Sequence, residues 1–210
     1  MSALPQHAVY RLRTTRRDGV LDRRYRGTWT LSDDATKQVL ATCDLTRAAV
    51  FGTHEIADHA QQVWRLSANR TIMPSRWLLT DPAQRLALQF HQQILRKLLN
   101  PWRRTSLALT DADGQDLFRL VDSRTGLLDR TFGPGTDDWL LMQDGDPTAR
   151  LVRLPTEQDQ PKGLLGRLGK MLSRGDWGIA SATATHALAA PAALALLMLI
   201  EELTNPSGMG

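Results

Sequence analysis

His54-Glu-Ile-Ala-Asp-His59 is a first place to look for chemistry, because a helical His-Glu-x-x-His can hold zinc and supply a glutamate base. Here the two histidines are five residues apart, so on a helix they would fall on different faces and could not share a metal. The segment is expected to be a surface loop. Asp111-Ala-Asp-Gly-Gln-Asp116 contains pieces of a calcium loop, but its glycine comes fourth where the sharp turn of such a loop needs it sixth. It reads as a hairpin turn, and so does Asp144-Gly-Asp-Pro147. No Gly-rich phosphate loop, nucleophile elbow or Cys/His metal set occurs along the chain. No cofactor, metal site or catalytic residue is therefore assigned, and an enzyme is not expected.

Basic residues give a different signal. Residues 85–104 contain Arg85, Arg96, Lys97, Arg103 and Arg104 with no acid. Within that stretch, Asn100-Pro-Trp-Arg-Arg104 sets Trp102 beside two guanidinium groups, a combination suited to a lipid headgroup interface or to stacking on nucleic acid. A turn whose Trp102 folds back on its own scaffold is the favoured reading of the two. Further on, Leu164, Leu165, Leu168, Met171 and Leu172 share one face of a short helix, with Arg167, Lys170 and Arg174 on the other; a surface helix packed on the rest of the fold is the favoured reading, and a helix lying on a membrane the alternative. Gly166 and Gly169 each weaken such a helix by about 1 kcal/mol relative to Ala. The candidate lipid-binding residues are thus Arg96, Lys97, Trp102, Arg103, Arg104, Arg167, Lys170 and Arg174.

These clusters belong to a chain whose charge is unevenly spread. Its 210 residues carry 26 Lys and Arg against 22 Asp and Glu, a net charge of +4. Residues 1–32 hold seven Arg and two Asp, whereas residues 105–150 hold four Arg and nine Asp. Basic ends around an acidic middle read first as a solvated mixed surface, and otherwise as a dipolar surface with a phosphate-bearing or lipid partner on one side. The apolar fraction of 42% excludes a disordered chain, and Cys43, the one cysteine, excludes an intramolecular disulfide and fits a reducing compartment. The N-terminus lacks the basic-then-apolar pattern of a secretory signal.

The elements that would position the basic clusters read as short strands. Alternating runs occur at 7–13, 27–31, 39–43, 62–67, 76–80, 85–90, 105–110, 115–121, 139–142 and 149–154, separated by turn residues. This spacing predicts a β-sandwich or barrel, with no internal repeat exact enough for a propeller. Gln92–Leu99 fits either a helical turn or a continued strand. Residues 155–163 read as a polar loop, and Trp102 is set apart from Trp29, Trp64, Trp77, Trp139 and Trp177, which lie at or beside strands. From Trp177 to Ile200 the chain holds no acid, Lys or Arg. Its first half alternates like a strand, and its second half is an apolar helix with Pro191 in the first turn. A helix apolar on every side belongs in a membrane or in a closed protein core.

The order of strands followed by one very apolar C-terminal helix resembles the tubby-like barrel superfamily, which includes tubby C-terminal domains, phospholipid scramblases and the LURP-one-related proteins. The stretches that carry the resemblance are Trp77-Leu-Leu-Thr-Asp-Pro-Ala-Gln-Arg-Leu-Ala-Leu88, with Arg96-Lys97 following, then Leu107 to Phe118, and Asp176-Trp-Gly-Ile179 ahead of the helix. The resemblance implies a mainly β fold, a closed antiparallel barrel of about twelve strands enclosing the C-terminal helix. It also divides one domain, residues 1–210, into strands over 7–154, a loop and short amphipathic helix over 155–175, a last strand over 176–186 and a central helix over 187–203. A barrel this wide leaves an interior that strand side chains alone do not fill, which a central helix would.

The resemblance further implies a non-catalytic protein contacting anionic phospholipid, cytoplasmic and peripheral to the membrane. The acidic calcium segment of the scramblases is matched only by Asp176, and their cysteine cluster is absent, which argues against calcium-triggered activity. Two alternatives stand beside this expectation: a tail-anchored, scramblase-like membrane protein spanning at 179–200, and a soluble scaffold for protein or, less favoured, nucleic acid.

Overall fold

In the computed structural model, residues 9–16, 27–33, 35–45, 52–69, 75–92, 106–122, 138–154, 176–181 and 188–204 are described, β1 and β12 through their backbones. They form β1 (Val9–Arg16), β2 (Gly27–Asp33), β3 (Val39–Leu45), β4 (Thr53–Asp58), β5 (Val63–Ala68) and β6 (Arg76–Thr80). The second half is β7 (Leu86–Gln92), β8 (Ser106–Asp111), β9 (Asp116–Asp122), β10 (Asp138–Gln143), β11 (Asp146–Leu154) and β12 (Asp176–Ser181), followed by helix α1 (Ala190–Thr204). The fold is mainly β and antiparallel, with one apolar C-terminal helix, as expected. Each strand pairs with its sequence neighbours, and β1 also pairs with β12 from Val9↔Ala180 to Leu12↔Trp177, so the strand order is that of a closed barrel.

The period-2 pattern explains why these segments are strands and which face is inside. Trp29 and Leu31 of β2, Ile56 of β4, Trp64 and Leu66 of β5, Trp77 and Leu79 of β6 and Phe90 of β7 are all buried, while the residues between them are more exposed. A one-residue slip would turn this entire row outward, so burial of one face fixes the register. Residues of α1 join the same core: Leu194, Ala195, Leu196, Leu197, Met198 and Leu199 are consecutive and each has 0% exposure. Six successive residues cover every side of a helix, so α1 is enclosed, and it packs against β2, β3 and β4. The first intrahelical bond runs from the Ala193 N–H to the Ala189 carbonyl at 3.0 Å. Pro191 therefore falls among the first helical residues, where its missing N–H breaks no intrahelical bond.

Two boundaries shift and one element is corrected. Helix α1 begins at Ala190 rather than 187, and β12 ends at Ser181, with the alternating residues 182–187 outside the described set. His54–Asp58 is not a surface loop: it belongs to β4, and His54 is buried beside Ile56 in the inward row. The polar letters hid the strand, because its outward residues Thr53 and Glu55 are hydrophilic and its inward pair includes a histidine.

One hairpin design recurs along one end of the barrel. In the β4–β5 turn, the Asp58 N–H donates to the Gln62 carbonyl at 3.0 Å and the Asp58 carbonyl accepts from the Gln61 N–H at 2.9 Å. The Asp58 carboxylate accepts from the N–H groups of Ala60 and Gln62, each at 2.9 Å. Asp111 does the same with Gln115, Gly114 and Asp113, and Asp81 pairs likewise with Arg85 and Gln84. The fourth residue of each turn has left-handed backbone, with φ of 60° at Gln61, 62° at Gln84 and 82° at Gly114. This is the three-residue hairpin with a left-handed closing residue, in which a carboxylate satisfies the turn's own donors. The β2–β3 turn repeats it with one extra residue, from Asp33 to Lys37.

Ahead of each turn stands an inward pair: Trp29 and Leu31, His54 and Ile56, Trp77 and Leu79, Leu107 and Leu109, Trp139 and Leu141. A register shift follows the second member in β2, β6, β8 and β10, where the extra residue increases local twist and helps the wall curve.

Candidate functional site

Strand direction decides which connections share an end of the barrel. Because every pairing is antiparallel, even-numbered strands all run toward the short turns. The odd strands β1, β3, β5, β7, β9 and β11 all end at the opposite rim, where the connections 17–26, 46–52, 69–75, 93–105, 123–137 and 155–175 begin. Those six segments contain sixteen Arg and Lys against six Asp and Glu.

Arg96, Lys97, Trp102, Arg103 and Arg104 belong to 93–105, and Arg167, Lys170 and Arg174 to 155–175; all eight lie outside the described residues. What the structure places is their anchorage. Gln92 and Ser106 bound the first segment, and Leu154 and Asp176 bound the second, all at the same rim and four strands apart in a ring of twelve. The Gln92 N–H donates to the Ser75 carbonyl at 2.9 Å, which ties the root of the first segment to the root of β6.

The opposite end is acidic. Asp33, Asp58, Asp81 and Asp111 anchor turns, and Asp113, Asp116, Asp144 and Asp146 lie beside them, against Lys37 and Arg85. Arg85 is engaged by Asp81, its guanidinium 2.9 Å from the carboxylate. The Arg85 backbone N–H, donating to the same carboxylate, is the main reason the Asp81 pKa lies below the usual carboxylate value. The turns of one end come from hairpins distant in sequence, so the sequence showed local charge clusters without showing which of them share an end.

Inside and along the wall, the chemistry is quiet. Trp29, Trp64, Trp77 and Trp139 are buried in the core, as most of the tryptophans were expected to be, while the side chains of Trp102 and Trp177 are outside the described set. The Nε1 donors of Trp64 and Trp139 are buried without a hydrogen-bond partner, each costing about 1–3 kcal/mol relative to a paired donor. Burial pushes the Cys43 thiol up to about 12, with Asp44 and Glu55 adding to the shift, so the thiol stays protonated and unreactive. Among the described residues no three His, Cys, Asp or Glu side chains come together as a metal site. His91 Nε2 lies 3.4 Å from Thr110 Oγ1 across the β7–β8 ladder. Partial burial lowers the His91 pKa, with Arg76 acting the same way and Asp116 against it, which favours the neutral ring.

The outer wall is mixed where it is described, with Val39 and Val63 exposed among polar residues. Arg65 bonds Glu55 at 3.2 Å across β4 and β5 and reaches Gln84 at 3.4 Å, and the Thr28 hydroxyl donates to Asp44. Among the described residues no helix is long and apolar enough to cross a membrane.

No protein-family model matches the chain. No curated protein matches it either. A solved structure that does match is the X-ray structure of a protein from Arabidopsis thaliana, AT5G01750. The match has a probability of 1.00, a TM-score of 0.48 and 10% sequence identity, and covers 94% of this chain and 92% of that one.

Proposed function

We propose that this chain is a tubby-like barrel of the scramblase and LURP-one-related type that binds anionic phospholipid surfaces without catalysis. The carrying observation is the common direction of β7 and β11, which roots the acid-free segment 93–105 and the basic segment 155–175 at one rim. Each basic residue near an anionic surface contributes about 1 kcal/mol, so the seven candidate cations acting together would hold the protein reversibly, with Trp102 at the headgroup level. Enclosure of α1 supports a peripheral mode, because the residues that could have formed a tail anchor fill the barrel instead.

The test is co-sedimentation of the protein and an Arg103→Glu/Arg104→Glu variant with phosphatidylcholine–phosphatidylserine vesicles. Wild type is expected to sediment at low salt and less at physiological salt, where charge is screened over about 8 Å. The variant is expected to lose most of that binding. Equal sedimentation of both, or none for wild type at low salt, removes the lipid reading. Retention of RNA or DNA on a filter under the same conditions would favour the scaffold reading in its place.

A further inference from the structure

On the outer wall, strands β6 to β9 set two arginines and a histidine in one cross-strand row. Alternation turns them outward: Trp77, Phe90, Leu107, Leu109, Phe118 and Leu120 are buried, and Arg76, His91, Ala108 and Arg119 stand beside them on the other face. Register then aligns the four. Arg76 pairs with His91, His91 with Ala108 and Ala108 with Arg119. Side chains directly opposed in a ladder stand about 5 Å apart, so the arginines flank His91, with the short Ala108 leaving room before Arg119.

The row is short of negative charge. Arg76 is exposed and has no ion-pair partner among the described residues. Arg119 is held only by Asp116 at 3.7 Å, and both side chains are more than half exposed, so that pair is weak. His91 Nε2 faces Thr110 Oγ1, and the ring is kept neutral by burial and by Arg76, with Asp116 acting the other way. Those are the charged groups that act on His91: Arg76 from β6, and Asp116 with Arg119 from β9, across Ala108. One cation is unpaired, one is loosely paired and a third group is held uncharged by its neighbour.

We infer that Arg76, His91 and Arg119 form a binding site on the outer wall for a phosphate monoester group. A guanidinium fork gives two parallel N–H bonds, and two forks on opposite sides suit a tetrahedral group with three free oxygens. A carboxylate, with two oxygens, would be used up by one fork. Protonated His91 adds a charge and a donor between them. Because the anion favours the charged ring, it raises the His91 pKa, and binding tightens as pH falls through that titration. The site does not rest on the lipid reading, whose candidate residues are different ones.

The experiment follows the histidine ring signals by NMR as pH is varied, in sodium sulfate and in sodium chloride of equal ionic strength. Sulfate is the probe because it is a tetrahedral dianion whose charge stays constant over the histidine range. The His91 signal is the one lost in His91→Gln. Sulfate is expected to raise its midpoint by about one pH unit, as a close opposite charge does. Arg76→Gln and Arg119→Gln should each remove most of that rise. Asp116→Asn should tighten sulfate binding several-fold, a gain that damage to the fold would not produce. Equal midpoints in the two salts, or the same rise at all five histidines, overturns the inference. Phenyl phosphate and vesicles containing phosphatidic acid then separate the sources. A His91 response to phenyl phosphate alone assigns a soluble ester, a response to both assigns a group also read on a lipid, and a response to neither overturns the site. Failure of the sedimentation test above would leave the sulfate result standing, and the reverse holds too.

Discussion

Around helix α1, stability comes from buried side chains distant in sequence; in the short turns it comes from one aspartate bonding residues two to four places further on. Leu197 has 0% exposure in the core, whereas Ala112 and Asp113 of the β8–β9 turn are open to solvent. The interior thus decides whether the barrel exists, and the turns decide the register in which its strands meet. Mutations in the two regions should differ in size and in kind.

The largest effect is expected at the helix. Leu197→Asp places a carboxylate at a fully buried position of the apolar core, at a cost of several kcal/mol from a total stability typically of about 5–15 kcal/mol. The variant should aggregate or remain unfolded by circular dichroism. A soluble variant with wild-type Tm would show that α1 is not enclosed. Next comes Cys43, which reports on the same interior without disturbing it. A maleimide should fail to modify native protein and should react as urea unfolds it. With its folded pKa raised to about 12, the buried thiol costs nothing below the unfolded thiol pKa. Stability should fall as pH rises above that value, because only the unfolded chain then releases the proton.

In the turns the expected losses are smaller. Asp111→Ala removes two bonds to backbone donors and should cost about 1–2 kcal/mol, read as a lowered urea midpoint with an unchanged slope. Asp58→Ala should match it, since the two turns share their bonding. Gly114→Ala tests conformation alone. Its φ is 82° and no atom lies within 4 Å of an added Cβ, so a cost of about 1–2 kcal/mol would come from the left-handed backbone. The least is expected from Asp81, whose depressed pKa adds stability above its unfolded value that is lost as pH falls through the folded one. Asp81→Asn should flatten a slight acid-side slope in the urea midpoint. If a turn mutation instead proved as damaging as Leu197→Asp, the division between the regions would fail.

The same contrast explains how much of the fold was legible. Turn chemistry is local, so Asp111-Ala-Asp-Gly114 and Asp81-Pro82 marked their hairpins directly. Strands with apolar alternation, such as Gly27–Leu31 and Arg76–Thr80, stood out for the same reason. β4 did not, because a strand with His54 inward and Glu55 outward presents the letters of a loop. The repeated hairpin unit was hidden as well. Its turns are closed by Lys37, Gln61, Gln84 or Gly114, residues that share a backbone angle and no chemical likeness. Enclosure of α1 was legible only through the order of the elements and the resemblance it carries, since an apolar helix by itself looks the same in lipid and in a barrel. At the candidate site, the sequence showed Arg96, Lys97, Arg103 and Arg104 as one cluster and Arg167, Lys170 and Arg174 as another. Only the direction of β7 and β11 brings their roots to one rim.

Pairing of β1 with β12 has a consequence for how the molecule is made. Val9 meets Ala180 across nearly the whole length of the chain, and α1 comes later still. A ribosome releases these pieces in order, so the first strand waits with one side unpaired until almost every residue has emerged. Hairpins can form early and independently, each guided by its own aspartate. Closure is left as a single late event with a high loop-closure cost, which predicts slow folding. During that wait the free side of β1 and the apolar stretch 187–200 are the parts of the nascent chain most in need of a chaperone.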